Sequence, residues 1–276
     1  MAVQRISTRN ARFQQLQTLL NNRTKRGRAR EFLVQGVRPI TMAVEYGWTI
    51  RSLLYDDSRP LSRWAEDLLR RVGAERVAMA PQLLAELGEK ADGAVEVLAV
   101  VEMAPDGLSR IKVHDDFLGL VFDRPTQPGN IGSIVRSADA FGADGLIVTG
   151  HAADPYDPKS VRASTGSFFA VPVVRSQSHH EVMEWLEKER ARGRPVAVVG
   201  TDERGDADVS EFDLTQPVLL LIGNETAGLS AAWRELCDHV ISIPMTGSAS
   251  SLNASNATSV VLYEARRQRL KKQRTA

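Results

Sequence analysis

The chain has 276 residues, 43% hydrophobic and 25% charged, an ordinary globular composition with length for two domains. No run of about 18 apolar residues is present and the N-terminal stretch lacks the apolar core of a secretory signal. A membrane span and export are therefore not expected, and a cytoplasmic location is. In chain order, a basic opening stretch comes first: residues 1–38 carry eight Arg and one Lys against Glu31, a net of +8. Strand and helix patterns then alternate: "REFLVQG" (30–36) as strand, "PITMAVEYG" (39–47) as a helix opened by proline, "IRSLLYDD" (50–57) as strand, and "LSRWAEDLLRRVG" (61–73) as a helix ending in glycine. "ERVAMA" (75–80), "PQLLAELGE" (81–89) and "AVEVLAVVE" (94–102) continue the alternation into a compact α/β unit.

The turn-rich "MAPDGLSRIKVHDD" reads as an interdomain linker, placed at 106–116. Beyond it the strands become continuous apolar runs: 117–123, 145–150, 169–174, 195–200, 217–223 and 240–245, with helices between, among them 179–193. Continuous apolar strands alternating with helices predict a mostly parallel sheet covered on both faces. Ligands of such sheets bind beyond the carboxyl ends of the strands, which selects the segments after Asp123, Gly200, Gly223 and Met245. Residues 266–276 close the chain with a net of +6, leaving −13 for the body between the two basic ends. Basic ends on an acidic body suit a polyanion such as RNA, although a solvated helix face and a disordered tail give the same count. Cys237 has no partner for an internal disulfide and reads as a buried core thiol in a reducing compartment.

Three segments carry chemistry. In "DRPTQPGNIGSIVRSADAFGADGLIV" (123–148) a strand meets a Pro/Gly turn and a helix, with neither glycine fingerprint of a nucleotide loop. Asn130 offers an amide between Gly129 and Gly132, and Arg136 a permanent cation with a phosphate-matching fork; from this segment alone an ordinary surface Arg fits as well. In "LLLIGNETAGLS" (219–230) Glu225 follows a buried strand, where an acid needs donors or a ligand, or else opens a helix capped at Ser230. "IPMTGSASSLNASNATSVVLYEA" (243–265) gathers short hydrogen-bonding residues around one leucine, Leu252, which a free linker does not need.

Together, in this order and each after a strand, these segments resemble the three signature motifs of the SpoU-type branch of the SPOUT RNA methyltransferases, over residues 117–267. The opening "STRNARFQQLQTLLNNRTKRGRAREFLVQGVRP" resembles the ribosomal-protein-like recognition domain that many members carry, with Gln35 where a glutamate is common. The resemblance implies a small N-terminal α/β RNA-recognition domain over 1–105 and a C-terminal parallel α/β/α domain over 117–276 that holds a deep trefoil knot, rare in other folds. It further implies a homodimer, S-adenosylmethionine as cofactor and methylation of a ribose 2′-hydroxyl.

By the same resemblance Asn130, Arg136, Glu225, Ser251 and Asn253 are the expected catalytic set, with Glu225 ordering the site and pairing with Arg136 or its partner-chain copy. Thr201, Gly223, Asn224, Ile243, Met245, Ser251, Leu252 and Asn253 are expected around the cofactor. Since a guanidinium is a poor base, Arg136 is expected to hold the target phosphate and the developing alkoxide. Arg9, Arg12, Arg23, Lys25, Arg26, Arg28, Arg30 and Arg38 are expected to bind RNA, 23S ribosomal RNA being favoured over tRNA. Members that protect a producing cell from an avilamycin- or thiostrepton-type antibiotic share these motifs with housekeeping ones. No metal is required by this chemistry, and no His/Cys cluster has ligand spacing. An RNA-binding protein that has lost catalysis is the competing reading; a dinucleotide oxidoreductase lacks its glycine fingerprint.

Overall fold

The computed structural model describes residues 4–89 and 95–275. The first residue of the strand expected at 94–102 and the last of the basic C-terminal stretch lie outside them. By internal contacts the chain divides into two units, Met1–Ala104 with Tyr156–Ala170, and Pro105–Pro155 with Val171–Ala276.

The first unit begins with β1 (Gln4–Ile6), α1 (Ala11–Asn21) and α2 (Arg23–Ala29). The basic opening is thus folded helix: Asn10 and Asn22 cap the two helices, and Phe13, Leu16 and Leu19 recur along one buried stripe. β2 (Glu31–Gln35), α3 (Val37–Glu45), β3 (Ile50–Tyr55), α4 (Arg63–Arg71), β4 (Glu75–Met79), α5 (Pro81–Leu87) and β5 (Val97–Glu102) follow, close to the expected bounds. The sheet order is β1-β4-β3-β5-β2, with β5 antiparallel to both neighbours.

The second unit holds seven strands in the order β10-β12-β9-β11-β6-β7-β8, every pairing parallel. Its elements are β6 (Leu118–Asp123), α6 (Pro128–Phe141) and β7 (Gly145–Thr149), after which the chain departs to form α7 (Pro158–Ala163) of the first unit. It returns as β8 (Val173–Ser176), α8 (His179–Ala191), β9 (Ala197–Thr201), β10 (Ala207–Asp208), β11 (Val218–Ile222), α9 (Ala231–Glu235), β12 (His239–Ser242) and α10 (Ala254–Thr275). β6 and β11 are buried at every position, as central strands between two helix layers must be.

Four expectations are corrected. The stretch 106–116 is no free linker: Ile111 and Val113 belong to the core of the second unit, Arg110 donates to the Val173 carbonyl and Arg175 pairs with Asp106. The second unit is not continuous over 117–276, because Tyr156–Ala170 belongs to the first. There Phe32 packs against Tyr156, Phe168 and Phe169 at centroid distances of 4.9, 6.0 and 6.3 Å, and the Trp48 indole donates to the Phe169 carbonyl. The strand expected at 169–174 therefore starts only at Val173. Finally, the basic C-terminal stretch is the end of α10, through Thr275, not a loose tail. Within it Arg269 is buried and donates to the carbonyls of Leu214, Asp116, Phe117 and Gln216, satisfying backbone acceptors just before β6 and β11.

Cys237 is half-buried and donates to the Trp233 carbonyl; burial pushes its thiol up to about 11, so it stays protonated at neutral pH.

Burying Tyr156, Phe168 and Phe169 contributes about 1.5–3 kcal/mol each, together comparable with a domain's net stability of about 5–15 kcal/mol. A chain starting at Pro105 is expected to expose this aromatic segment, bind a hydrophobic dye and aggregate on size-exclusion chromatography. The same truncation with all three aromatics changed to serine should elute as a discrete species.

Candidate functional site

Because all strands of the second sheet run the same way, the loops after β9, β11 and β12 emerge on one edge. They enclose a cavity of about 500 Å³, within the range of small-molecule and cofactor sites. Thr201 to Arg204, Gly223 to Gly228, and Ile243, Met245, Ser251 and Leu252 supply its walls, with Ile222 and Ile241 at the base and Arg234 from α9. Met245 and Leu252 are exposed large apolar side chains, as cavity walls open to a ligand would be. The Ser/Asn-rich segment is thus a wall of this cavity.

Gly223 is needed by its position. A Cβ there would stand 2.5 Å from the Gly228 carbonyl carbon and the Leu229 nitrogen, closer than backbone allows. Asn224 and Gly228 exchange backbone hydrogen bonds at 2.9 and 3.0 Å, and the Asn224 side chain accepts from Thr226 and Ala227, closing a small hairpin.

Glu225 leaves that hairpin for the start of α6. Its Oε2 accepts from the Thr126 amide at 3.0 Å and the Thr126 hydroxyl at 3.1 Å; Oε1 accepts from the Gln127 amide at 3.1 Å and Asn130 Nδ2 at 3.0 Å. Burial acts to raise the Glu225 pKa, but the donors from Thr126, Asn130 and Gln127 outweigh it and hold the carboxyl below its usual range. A carboxylate here also meets the positive end of a 14-residue helix. The expected pairing of Glu225 with Arg136 within the chain is not formed: Thr126, Gln127 and Asn130 occupy both carboxylate oxygens.

Asn130 passes the network on. Its Oδ1 accepts from Asn253 Nδ2 at 3.2 Å, while Asn253 Oδ1 accepts from the Ser255 amide and hydroxyl as the cap of α10. Asn253, expected against the cofactor, does not line the cavity, because its amide is engaged in that cap and in Asn130. Arg136 is exposed, with no acid in pairing distance among the described residues. It lies six residues past Asn130, about 9 Å along the axis and on another face of the helix. Beside it Ser137 bonds Ser259, Phe141 meets Tyr263, and Val260 and Tyr263 of α10 are exposed.

Of the residues expected to bind RNA, Arg9, Arg23, Lys25, Arg28, Arg30 and Arg38 are exposed and Arg12 is half-buried. Arg9 is held by Glu86 and Arg12 by Glu75, while Arg30 donates to the Met103 and Ala104 carbonyls and Arg38 to the Thr165 carbonyl. Arg26 is the correction: at 2% exposure it is buried, donates to the Leu19 and Leu20 carbonyls and faces Asp157 at 3.7 Å. Counting charges does not distinguish such an arginine from a surface one. Sequence reasoning also missed Asp202, paired with Arg234 at 2.5 Å on the cavity wall, although its strand end had been singled out.

Glu225→Gln presents an amide NH₂ to two donors and should lower stability by about 1–3 kcal/mol at neutral pH. Since the folded pKa is depressed, the carboxylate's contribution is complete above the unfolded pKa and is lost as pH falls through the folded one. The difference in unfolding free energy between wild type and variant should be flat from pH 6 to 8 and shrink below about pH 4.3, measured by urea denaturation.

Residues 10–99 match the model of the SpoU L30e-like domain and residues 118–263 that of the SpoU rRNA Methylase family. A 23S rRNA (uridine(2479)-2′-O)-methyltransferase of Streptomyces viridochromogenes is 67% identical over 98% of this chain and 94% of its own. The crystal structure of the SpoU methyltransferase AviRb from the same organism, in complex with the cofactor AdoMet, superimposes with a TM-score of 0.92 at 68% identity, covering 95% of this chain and 99% of that one. An AdoMet-bound rRNA methyltransferase from Sinorhizobium meliloti gives 0.83 at 30% identity, over 96% of this chain and 98% of its own. With both units matched, and with the strand-end loops forming one cavity, this chain belongs to the SpoU rRNA methylase family.

Proposed function

We propose that this protein transfers a methyl group from S-adenosylmethionine to a ribose 2′-hydroxyl of 23S ribosomal RNA. The observation that carries the reading is the cavity of about 500 Å³ where the loops after β9, β11 and β12 meet, beside the Glu225–Asn130–Asn253 network. Its walls fit the cofactor's chemistry: Ile222, Ile243 and Leu252 offer apolar surface to a purine, while Thr201, Asn224 and Ser251 offer hydrogen-bonding groups. Thr201, Gly223, Asn224, Ile243, Met245, Ser251 and Leu252 are assigned to holding it. When bound, S-adenosylmethionine supplies a methyl group already attached to a good leaving group. The protein's task is then position and proton removal.

Glu225 and Asn253 act by holding Asn130 and the start of α6 in place. Arg136, exposed on α6, receives the target phosphate and stabilises charge as the hydroxyl ionises; a guanidinium is a poor base, and removing the proton is not its task. Ser251, on the cavity wall, stands with the reacting set. Lys25, Arg28 and Arg23 supply the electrostatic footing for RNA on the first unit. The exposed Val260 and Tyr263 of α10 support a homodimer that buries them, with Arg136 acting beside a partner's site. A knotted threading of the loop 243–253 past the loop 223–230, a cytoplasmic location and protection of the ribosome from an antibiotic complete the proposal. Supporting the location, no helix among the described residues is long and apolar enough to cross a membrane.

The test is methyl incorporation from labelled S-adenosylmethionine into deproteinised 23S, 16S and transfer RNA from an unmodified host, and into intact ribosomal subunits. Label in 23S RNA, alkali-resistant at the modified linkage, is expected. Arg136→Ala and Arg136→Lys should both lower turnover by a hundredfold or more while cofactor affinity stays within about twofold. Cofactor binding without label in any RNA or particle would favour an RNA-binding protein that has lost catalysis.

A further inference from the structure

At the end of β6 the chain does something costly. Arg124 is a non-glycine residue in the left-handed region, at φ +50°, and such conformations persist where surrounding contacts impose them. Those contacts all lead to the cavity wall. The Arg124 carbonyl accepts from Asn224 Nδ2 at 2.6 Å, at the beginning of the 223–230 hairpin. Its guanidinium donates through Nη2 to the Gly228 carbonyl at 3.3 Å, at the far end of the same hairpin, and through Nε to Asp123 Oδ2 at 3.0 Å. The same Asp123 oxygen accepts from the Ser230 amide at 3.0 Å, just past the hairpin. Asp123 is 3% exposed, and its other oxygen is held by the Thr149 hydroxyl at 3.3 Å.

Arg124 is itself fixed from behind. Its amide donates to the Thr149 carbonyl at 3.0 Å, and its stem lies over the turn after β7, where a Cβ on Gly150 would stand 2.8 Å from Arg124 Cγ. One residue therefore grips both ends of a hairpin, with its own backbone twisted so that carbonyl and guanidinium reach it together.

We infer that Arg124 is a positioning residue for cofactor binding: it does not line the cavity, but fixes the hairpin of Gly223 to Gly228 that does. This rests on the reading of the cavity as the S-adenosylmethionine site. The inference makes affinity, rather than the chemical step, depend on Arg124, because a loosened hairpin must be ordered again each time the ligand binds.

The test compares Arg124→Gly and Arg124→Lys with the wild-type full chain by calorimetric titration with S-adenosylmethionine, steady-state methyl transfer and thermal unfolding. Glycine adopts the left-handed backbone freely and removes the fork; lysine keeps a cation but reaches one acceptor instead of two. Arg124→Gly is expected to keep its unfolding midpoint within about 2 °C while Kd and KM for the cofactor rise at least fivefold and kcat at saturation stays within twofold. Arg124→Lys should fall between. Cofactor affinity within twofold of wild type in Arg124→Gly overturns the inference, as does a loss confined to kcat. Should Arg124→Gly fail to fold, Arg124→Lys decides by the same criteria. Absence of binding by the wild-type chain itself defeats the parent reading instead, and is seen in the first titration.

Discussion

The arrangement of the candidate site depends on one carboxylate meeting one helix. Glu225 leaves a tight hairpin and receives four hydrogen bonds, two per oxygen, from Thr126 and Gln127 just before α6 and from Asn130 in its first turn. The Thr126 and Gln127 amides that lead into the helix gain an acceptor, and the half-buried acid gains the donors that its charge needs; each satisfies the other. Through Asn130 the same contact reaches Asn253 and so fixes where α10 begins. Three segments far apart in the chain are thereby locked to one another, and the cavity takes its shape from that lock.

Much of this was legible in the sequence because the sheet is parallel and buried. Continuous apolar runs at 117–123 and 217–223 identify central strands almost to the residue, and the rule that loops at strand ends hold ligands leads to Gly223, Thr201 and Leu252. What was not legible were contacts that depend on long-range closure. Nothing in "PYDPKSVRASTGSFFA" says that its aromatics complete another unit, since a hydrophobic residue declares burial and not its partner. Likewise Arg26 and Arg269 look like members of basic stretches, yet each lies on buried backbone carbonyls. Arginine's long apolar stem and five donors suit it to either task, and charge counting cannot tell them apart.

The electrostatic picture changes accordingly. Of the cations in the opening stretch, Arg26 is buried on main-chain carbonyls, Arg9 and Arg12 pair with Glu86 and Glu75, and Arg9, Arg23, Lys25, Arg28, Arg30 and Arg38 are exposed. A count of +8 therefore overstates the positive charge that faces solvent, because Arg26 is buried in it. In the second unit Arg136 has no acid in pairing distance among the described residues, on a helix whose start is occupied by a carboxylate. Opposite charge is spent at the head of α6 and left open along its side.

The first unit closes only with a segment that is synthesised after much of the second has begun. Residues 1–104 leave the ribosome before Tyr156, Phe168 and Phe169, the residues that Phe32 and Trp48 pack against. Vectorial synthesis, which ordinarily lets an N-terminal domain finish first, here delivers an unfinished one. Its apolar opening persists until residue 170 has been made, while β6 and β7 already seek partners of their own. The order of translation and the order of completion are interleaved: the segment that covers Phe32 and Trp48 is made after β6 and β7.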